Sequence, residues 1–317
     1  MLPPLSASPP TPPPLSASPS APESNPFAGA RFYVNPNSNA AQTEAAWRSS
    51  GRSADANAMA KIANNPQATW FGDWNGSDPY AAVHNAVSQA AGAGALPVLV
   101  TYNIPGRDCG SLSAGGAVSA NAYHTFIDGF VRGIANARAI VIVEPDALAE
   151  LDCMSTGNQQ QTLELLRYAV AKFAASPGTA VYLDAGNSTW QPAAVIASRL
   201  QQADVAQARG FSLNISNFNS TATEESYGNS VSALLGGKHF LVDTSRNGQG
   251  RASDSQWCNP SGRGLGIPAS TVTGDPLADA LFWVKSPGES DGTCNSGPTA
   301  GSWWPEYALG LAQRAAF

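Results

Sequence analysis

The sequence predicts an α/β protein whose parallel strands close into a barrel, and three observations carry that reading. From residue 27 onward, short β-branched apolar runs alternate with amphipathic helical patterns, roughly one unit every 30 to 40 residues, and this alternation implies a parallel sheet with helical crossovers. The run Ile140-Val141-Ile142-Val143 is apolar throughout, as expected of a strand covered on both faces. Several runs end in or just before an aspartate, at the sheet edge where α/β proteins gather ligands and catalytic groups. Seven or eight units favour closure into a barrel. An open doubly wound sheet is the alternative, which spacing alone does not separate.

In chain order, the first two candidate strands are residues 30–34 and 68–71. Residues 97–102 follow and run into Arg107-Asp108-Cys109. A helix comes next, because Tyr123, Phe126, Ile127, Phe130, Val131 and Ile134 fall on one face at helical spacing. The strand 139–144 leads to Pro145-Asp146, and a second helical stripe follows at Leu163, Leu166, Val170 and Phe173. Strand 180–184 ends on Asp184 itself, and 210–214, 240–243 and 281–285 complete the set. Four aspartates, Asp108, Asp146, Asp184 and Asp243, are thereby expected at strand ends around one cleft.

Residues 1–26 are repetitive Pro, Ser and Ala, a composition that cannot bury enough apolar surface to fold and reads as an extended spacer. Residues 27–317 read as one domain. With 13% charged residues and a formal net charge of −6, nothing suggests a nucleic-acid partner. A weakly charged chain rich in Ala, Ser, Asn and Gln suits a secreted protein with a neutral, hydroxyl-rich ligand. No basic segment precedes an apolar stretch at the N-terminus, so no signal peptide is visible in this chain. No run of about twenty apolar residues exists, and no membrane span is expected.

The four cysteines allow three pairings. Cys109 and Cys153 flank the strand that leads to Asp146, and Cys258 and Cys294 bracket a Gly/Pro-rich stretch; bridges in that order are expected, with four buried thiols as the alternative. Loops of that size contribute roughly 4 kcal/mol in the chain-entropy account. The first bridge would also pin the Asp108 loop to the loop after Asp146.

Cleaving a glycosidic bond needs two carboxyl functions on opposite faces of the sugar, one of which must stay protonated near neutral pH. Asp146 fits the acid, since it follows a buried strand and Pro145 fixes the turn. Asp184, one strand over, supplies a like charge that would keep it protonated; its structural alternative is a helix cap. Asp108 lies between Arg107 and Cys109, and an adjacent arginine favours the ionised form, so it reads as a charge stabiliser or water handler. Lys285, Glu289 and Asp291 cluster after the last strand, although Gly-Glu-Ser-Asp-Gly alone is an ordinary turn sequence. His84, His124 and His239 are far apart, and no phosphate-binding glycine loop precedes a helix. Neither a metal nor a nucleotide cofactor is therefore expected. Trp70, Trp74, Trp190, Trp257, Trp303 and Trp304 lie in or beside expected strand-end loops, where an indole can stack on a pyranose face.

Together these motifs resemble glycoside hydrolase family 6, the inverting cellulases. The matching elements are Tyr102-Asn-Ile-Pro-Gly-Arg-Asp-Cys109, Ile142-Val-Glu-Pro-Asp146, Tyr182-Leu-Asp-Ala-Gly186, Asp243-Thr-Ser-Arg-Asn-Gly248, Trp257-Cys258-Asn259, Thr273-Gly-Asp-Pro276, Phe282-Trp-Val-Lys285 and Gly288-Glu-Ser-Asp-Gly292. They occur in the family's order and span nearly everything from Asn25 to the C-terminus. The resemblance implies a distorted barrel that cleaves β-1,4-glucan and cello-oligosaccharides with inversion, as a secreted monomer without a cofactor. It assigns Asp146 as general acid, Asp184 as the carboxylate that raises its pKa, and Asp108 as support for the oxocarbenium-like transition state and its water. Asp291 matches the proposed base, and Tyr102 the tyrosine that crowds the distorted sugar. Arg107 and Arg246 match arginines paired with these carboxylates, and Trp70, Trp190, Trp257, Lys285, Glu289 and Asn217 complete the expected sugar contacts. The matched cysteines repeat the pairing 109–153 and 258–294.

Two positions depart from the family pattern. A serine that relays the nucleophilic water falls on Ala114, next to Ser113, and Asn187 stands where many members have histidine. The loops after Asp108 and Asp291 are short, since Cys294 follows Asp291 after two residues. A pared-down roof implies an open cleft and internal cleavage, with release of cellobiose from chain ends as the alternative and a catalytically silent glucan binder as a third reading.

Overall fold

In the computed structural model, residues 24–315 and 317 are described; the expected spacer lies outside them except for residues 24–26. Seven parallel strands form one sheet in strict sequence order. They are β1 (Thr69–Phe71), β2 (Val98–Thr101), β3 (Ala139–Val143), β4 (Thr179–Asp184), β5 (Gly210–Leu213), β6 (His239–Asp243) and β7 (Ala278–Phe282). The helices are α1 (Asn39–Ser49), α2 (Ser53–Ala63), α3 (Tyr80–Gly92), α4 (Ala120–Ile134), α5 (Thr156–Ala174), α6 (Ala193–Gln202), α7 (Thr221–Leu234) and α8 (Pro305–Gln313). Because each strand pairs with its sequence neighbour, the order never reverses as it does in a doubly wound sheet, and the sheet curls on itself. The edge strands meet just beyond their ends: Gln67 bridges Trp283, and the Trp70 indole N–H donates to the Val284 carbonyl at 2.8 Å. The result is a distorted barrel joined across one short seam.

The apolar run of β3 is explained by its two faces. Ile140 and Ile142 point into the barrel beside Val98, Val100, Tyr182 and Leu241. Ala139, Val141 and Val143 point outward under the helices, so no position is left for a polar side chain. The two predicted helical stripes, on α4 and α5, pack in that outer layer through Phe126, Phe130, Leu166 and Phe173. Both helices begin at a serine whose side chain accepts a backbone N–H, Ser119 for α4 and Ser155 for α5, a standard N-cap.

Two expected strands differ. Residues 30–34 make only the isolated bridge Phe32–Leu96. Leu96 precedes β2, so this segment runs parallel to the chain entering that strand, and Phe27 and Phe32 join the interior cluster instead of extending the sheet. The last strand lies three residues earlier than expected, because Asp279 interrupts the apolar pattern of β7 while being fully buried in it. Among the described residues, no helix is long and apolar enough to cross a membrane.

Candidate active site

The C-terminal ends of the strands surround a cleft of about 1380 Å³. Of the residues expected in the site, Asp108, Asp146, Asp291, Tyr102, Trp70, Trp190, Trp257, Lys285, Glu289, Asn217 and Arg107 all line it. Asp184, Asp243 and Arg246 do not; all three are buried at 1% exposure or less.

The turn after β3 sets the position of Asp146. Glu144 and Asp146 both adopt left-handed backbone, with φ of 49° and 73°, a conformation that persists only where its surroundings over-determine it. Here the buried Glu144 carboxylate accepts the backbone N–H groups of Asn103 and Ile104 at 2.7 and 2.9 Å. The exit of β2 is thereby tied to the exit of β3. Asp184 completes the brace. Its carboxylate accepts the Asp146 N–H at 2.9 Å, the Gly186 N–H at 3.0 Å and the Ser212 hydroxyl at 3.0 Å. It is not a helix cap, since α6 starts after Pro192.

Burial raises both aspartates of this pair. Asp146 is held well above the usual carboxylate range by desolvation, then by the charges of Asp184, Glu150 and Asp108, while Lys285 opposes. Asp184 is pushed up to about 7 by desolvation, against the pull of its hydrogen-bond donors. Those donors all point at Asp184, so the pair's first proton to leave comes from Asp184 and Asp146 keeps its own.

Glu150 is a cleft carboxyl that the sequence reading did not single out. It lies in the short 3-10 turn Ala149–Cys153, where its N–H donates to the Asp146 carbonyl at 2.9 Å. Burial and the neighbouring Asp108 push it up to about 7. Its spacing of four from Asp146 was the available signal, because one helical turn returns a side chain to the same face.

Asp108 does not meet Arg107 as adjacency in sequence suggested. The Arg107 guanidinium instead ion-pairs with Asp73 at 3.0 Å, donates to the Tyr102 and Ser113 carbonyls at 2.5 and 2.8 Å, and lies over the Tyr102 ring. Consecutive side chains diverge, and the backbone of Asp108 and Cys109 turns left-handed at this point. Asp108 accepts the backbone N–H of Ser113 at 2.5 Å. Beside the position of the missing loop serine, Ala114, the group held on Asp108 is therefore the backbone amide of Ser113, not a hydroxyl.

Asp291 binds the buried Arg246 at 2.8 Å and the Asn259 N–H at 2.9 Å, both through Oδ2. Arg246 reaches the cleft only through that carboxylate, which corrects its expected place among the sugar contacts. Asp243 is likewise a brace at the end of β6: it accepts N–H groups from Ser216, Ser245 and Lys285. The bridges Cys109–Cys153 and Cys258–Cys294 are both formed. Trp70 meets Tyr102 edge to face at 5.2 Å, and Trp74, Trp190, Trp257 and Trp303 add further indoles to the cleft. Trp304 does not line it and stacks on Tyr307 at 5.3 Å. Asn187, the second departure from the family pattern, is buried; its Oδ1 accepts from Thr189 and Asn219 and fixes the loop that bears Trp190.

A strand-end cleft with one carboxyl kept protonated, further carboxylates around it and a row of indoles is the equipment of a glycoside hydrolase. Residues 27–315 match the glycosyl hydrolases family 6, and the chain belongs to that family. It is 46% identical over 286 residues to Endoglucanase A of Cellulomonas fimi, covering 90% of this chain and 61% of that protein. It is 47% identical over 286 residues to Endoglucanase 1 of Streptomyces halstedii, covering 87% of each. The endoglucanase Cel6 of Mycobacterium tuberculosis, solved with methyl-cellobiosyl-4-deoxy-4-thio-β-D-cellobioside, superposes with a TM-score of 0.87 at 44% identity, over 92% of this chain and 99% of that one.

Proposed function

We propose that residues 27–317 form the catalytic domain of an endo-β-1,4-glucanase that acts with inversion. The observation that carries this reading is the buried pair in which Asp184 braces the Asp146 backbone and keeps its carboxyl protonated. Asp146 gives its proton to the glycosidic oxygen as the bond to the anomeric carbon breaks. Asp108 faces the developing positive charge on the ring. Water attacks from the opposite face of the sugar, and its proton leaves toward Asp291 and Asp108. Arg246 and Asn259 hold Oδ2 of Asp291, whereas Oδ1 carries the longer Lys285 ion pair at 3.8 Å and is the oxygen nearer to hand for that water. Tyr102 and Trp70 hold the sugar before the cleavage point, and Trp190, Trp257, Lys285, Glu289 and Asn217 line the remaining path.

The short loops support internal cleavage. A second reading, a cellobiohydrolase, is favoured by one contact: the loops after Asp108 and Asp291 touch where Leu112 lies against Gly292. Two disulfides suit an oxidising, extracellular setting, and one chain supplies every carboxylate of the site, as a monomer requires. The test is viscosity against reducing ends on carboxymethyl cellulose, for the native chain and Asp146→Ala. A steep viscosity loss per new end, absent in the variant, is expected. Attack on chain ends alone would favour the cellobiohydrolase, and glucan binding without any turnover would leave a silent binder.

A further inference from the structure

The cleft does not stop at Trp70. A second concavity of about 350 Å³ lies between the 33–37 segment and α3, and it shares Asn35, Asn37, Thr69 and Trp70 with the main cleft. We propose that this groove is an additional glucan subsite, taking a further glucosyl unit of the chain whose scissile bond lies at Asp146. The proposal rests on the glucanase reading above.

Three features of the groove support it. First, it is continuous with the cleft, and Trp70 stands between the two as a fixed wall, held by its bond to the Val284 carbonyl and by the Tyr102 ring. A chain stacked on Trp70 that continues in the same direction enters the groove. Second, the lining contains no charged residue. Its polar groups are side-chain amides, a phenol and one hydroxyl, and its apolar patch is Phe71, Ala82 and Ala86. A phosphate, peptide terminus or metal ion would find no counter-charge there. A neutral pyranose presents the complementary surface, with hydroxyl edges for the amides and a flatter C–H face for the patch.

Third, the amides have capacity to spare. Each primary amide offers two donors and an acceptor with two lone pairs. Asn35 uses its oxygen on the Asn37 N–H, and Gln89 uses its oxygen on the Tyr33 hydroxyl at 3.2 Å. The nitrogens of both amides, and the whole Asn85 side chain, have no partner among the described residues. Asn85 and Gln89 occupy positions four apart on α3 and so project from one face. That spacing gives the groove a two-residue amide rail, well placed for vicinal hydroxyls.

The test is the double variant Asn85→Ala/Gln89→Ala. Both residues are exposed on a helix, where alanine is the best helix former, and an unchanged Tm verifies folding. The readout is kcat/KM on cellotetraose, cellopentaose and cellohexaose, expressed as the hexaose-to-tetraose ratio. The proposal expects this ratio to fall about tenfold in the variant, the worth of two neutral hydrogen bonds, through KM and not kcat. A ratio equal to that of the native chain overturns the subsite, as does a native chain that gains nothing beyond tetraose. A native chain that cleaves no β-1,4-glucan at all overturns the glucanase reading instead, so the two failures are distinguishable.

Discussion

Two clusters of buried acid occupy opposite ends of the same barrel, and they are built on opposite rules. At the N-terminal end, Asp279 of β7 is 1% exposed, and every oxygen is matched. Arg209 reaches both oxygens at 2.9 and 3.0 Å, His239 lies 3.0 Å from Oδ1, and the Tyr182 hydroxyl donates at 2.6 Å. At the C-terminal end, Asp146, Asp184, Glu150 and Asp108 crowd together with no guanidinium among them. Arg107, the nearest in sequence, is turned away to Asp73. Burial disfavours charge at both ends, and the partners decide which way it is resolved. The lower cluster surrounds its carboxyl with donors; the upper one keeps a proton by withholding the cation.

The comparison predicts opposite phenotypes. Asp146→Asn should cost roughly 10²–10⁴-fold in kcat, the usual worth of general acid catalysis, while Tm holds or rises because a buried, crowded carboxyl has been removed. A variant with near-native turnover would end the distinction between the two clusters. Asp279→Ala should do the reverse. It removes the buried carboxylate that Arg209, His239 and Tyr182 share, at a cost of about 3–5 kcal/mol, while the folded fraction turns over at close to the native rate. Denaturant unfolding monitored beside activity separates these effects. If Asp279→Ala does not fold, Asp279→Asn tests the same charge with its shape retained. Unchanged stability in both would mean the lower pairing is idle.

How far each cluster could be read from the sequence differs for a physical reason. The upper one was legible where it lay on strands: Asp146 and Asp184 follow apolar runs whose register sends them to one edge, and the flanking cysteines gave the bridge from Asp108 to the next loop. Its loops were not, because side-chain direction there depends on backbone turns that leave no periodicity. Arg107 and Asp108, adjacent in sequence, point to different partners, and Asp73 lies 34 residues away. Arg246, expected both to pair with a site carboxylate and to touch the sugar, does the first, as the buried partner of Asp291, and not the second. The lower cluster was illegible altogether. Asp279, Arg209, His239 and Tyr182 come from different strands or their approaches, so only the closed barrel brings them together, and Asp279 itself disguised the strand that carries it.

Glu150 offers the finest test of the upper cluster. Its carboxyl is pushed up to about 7 from an ordinary value of 4.5, so the folded protein binds a proton more tightly there than the unfolded chain does. The stability this contributes is present below about pH 4.5 and is lost as pH rises through 7. Glu150→Gln removes the charge without removing the shape. Its Tm should match the native protein at pH 4 and exceed it at pH 8. The same change takes one like charge away from Asp146, which then gives up its proton more readily. The alkaline limb of kcat/KM should therefore move to lower pH. A limb that stays in place, with a Tm difference independent of pH, would mean that Glu150 does not sense the acid and that burial and Asp184 alone hold the proton on Asp146.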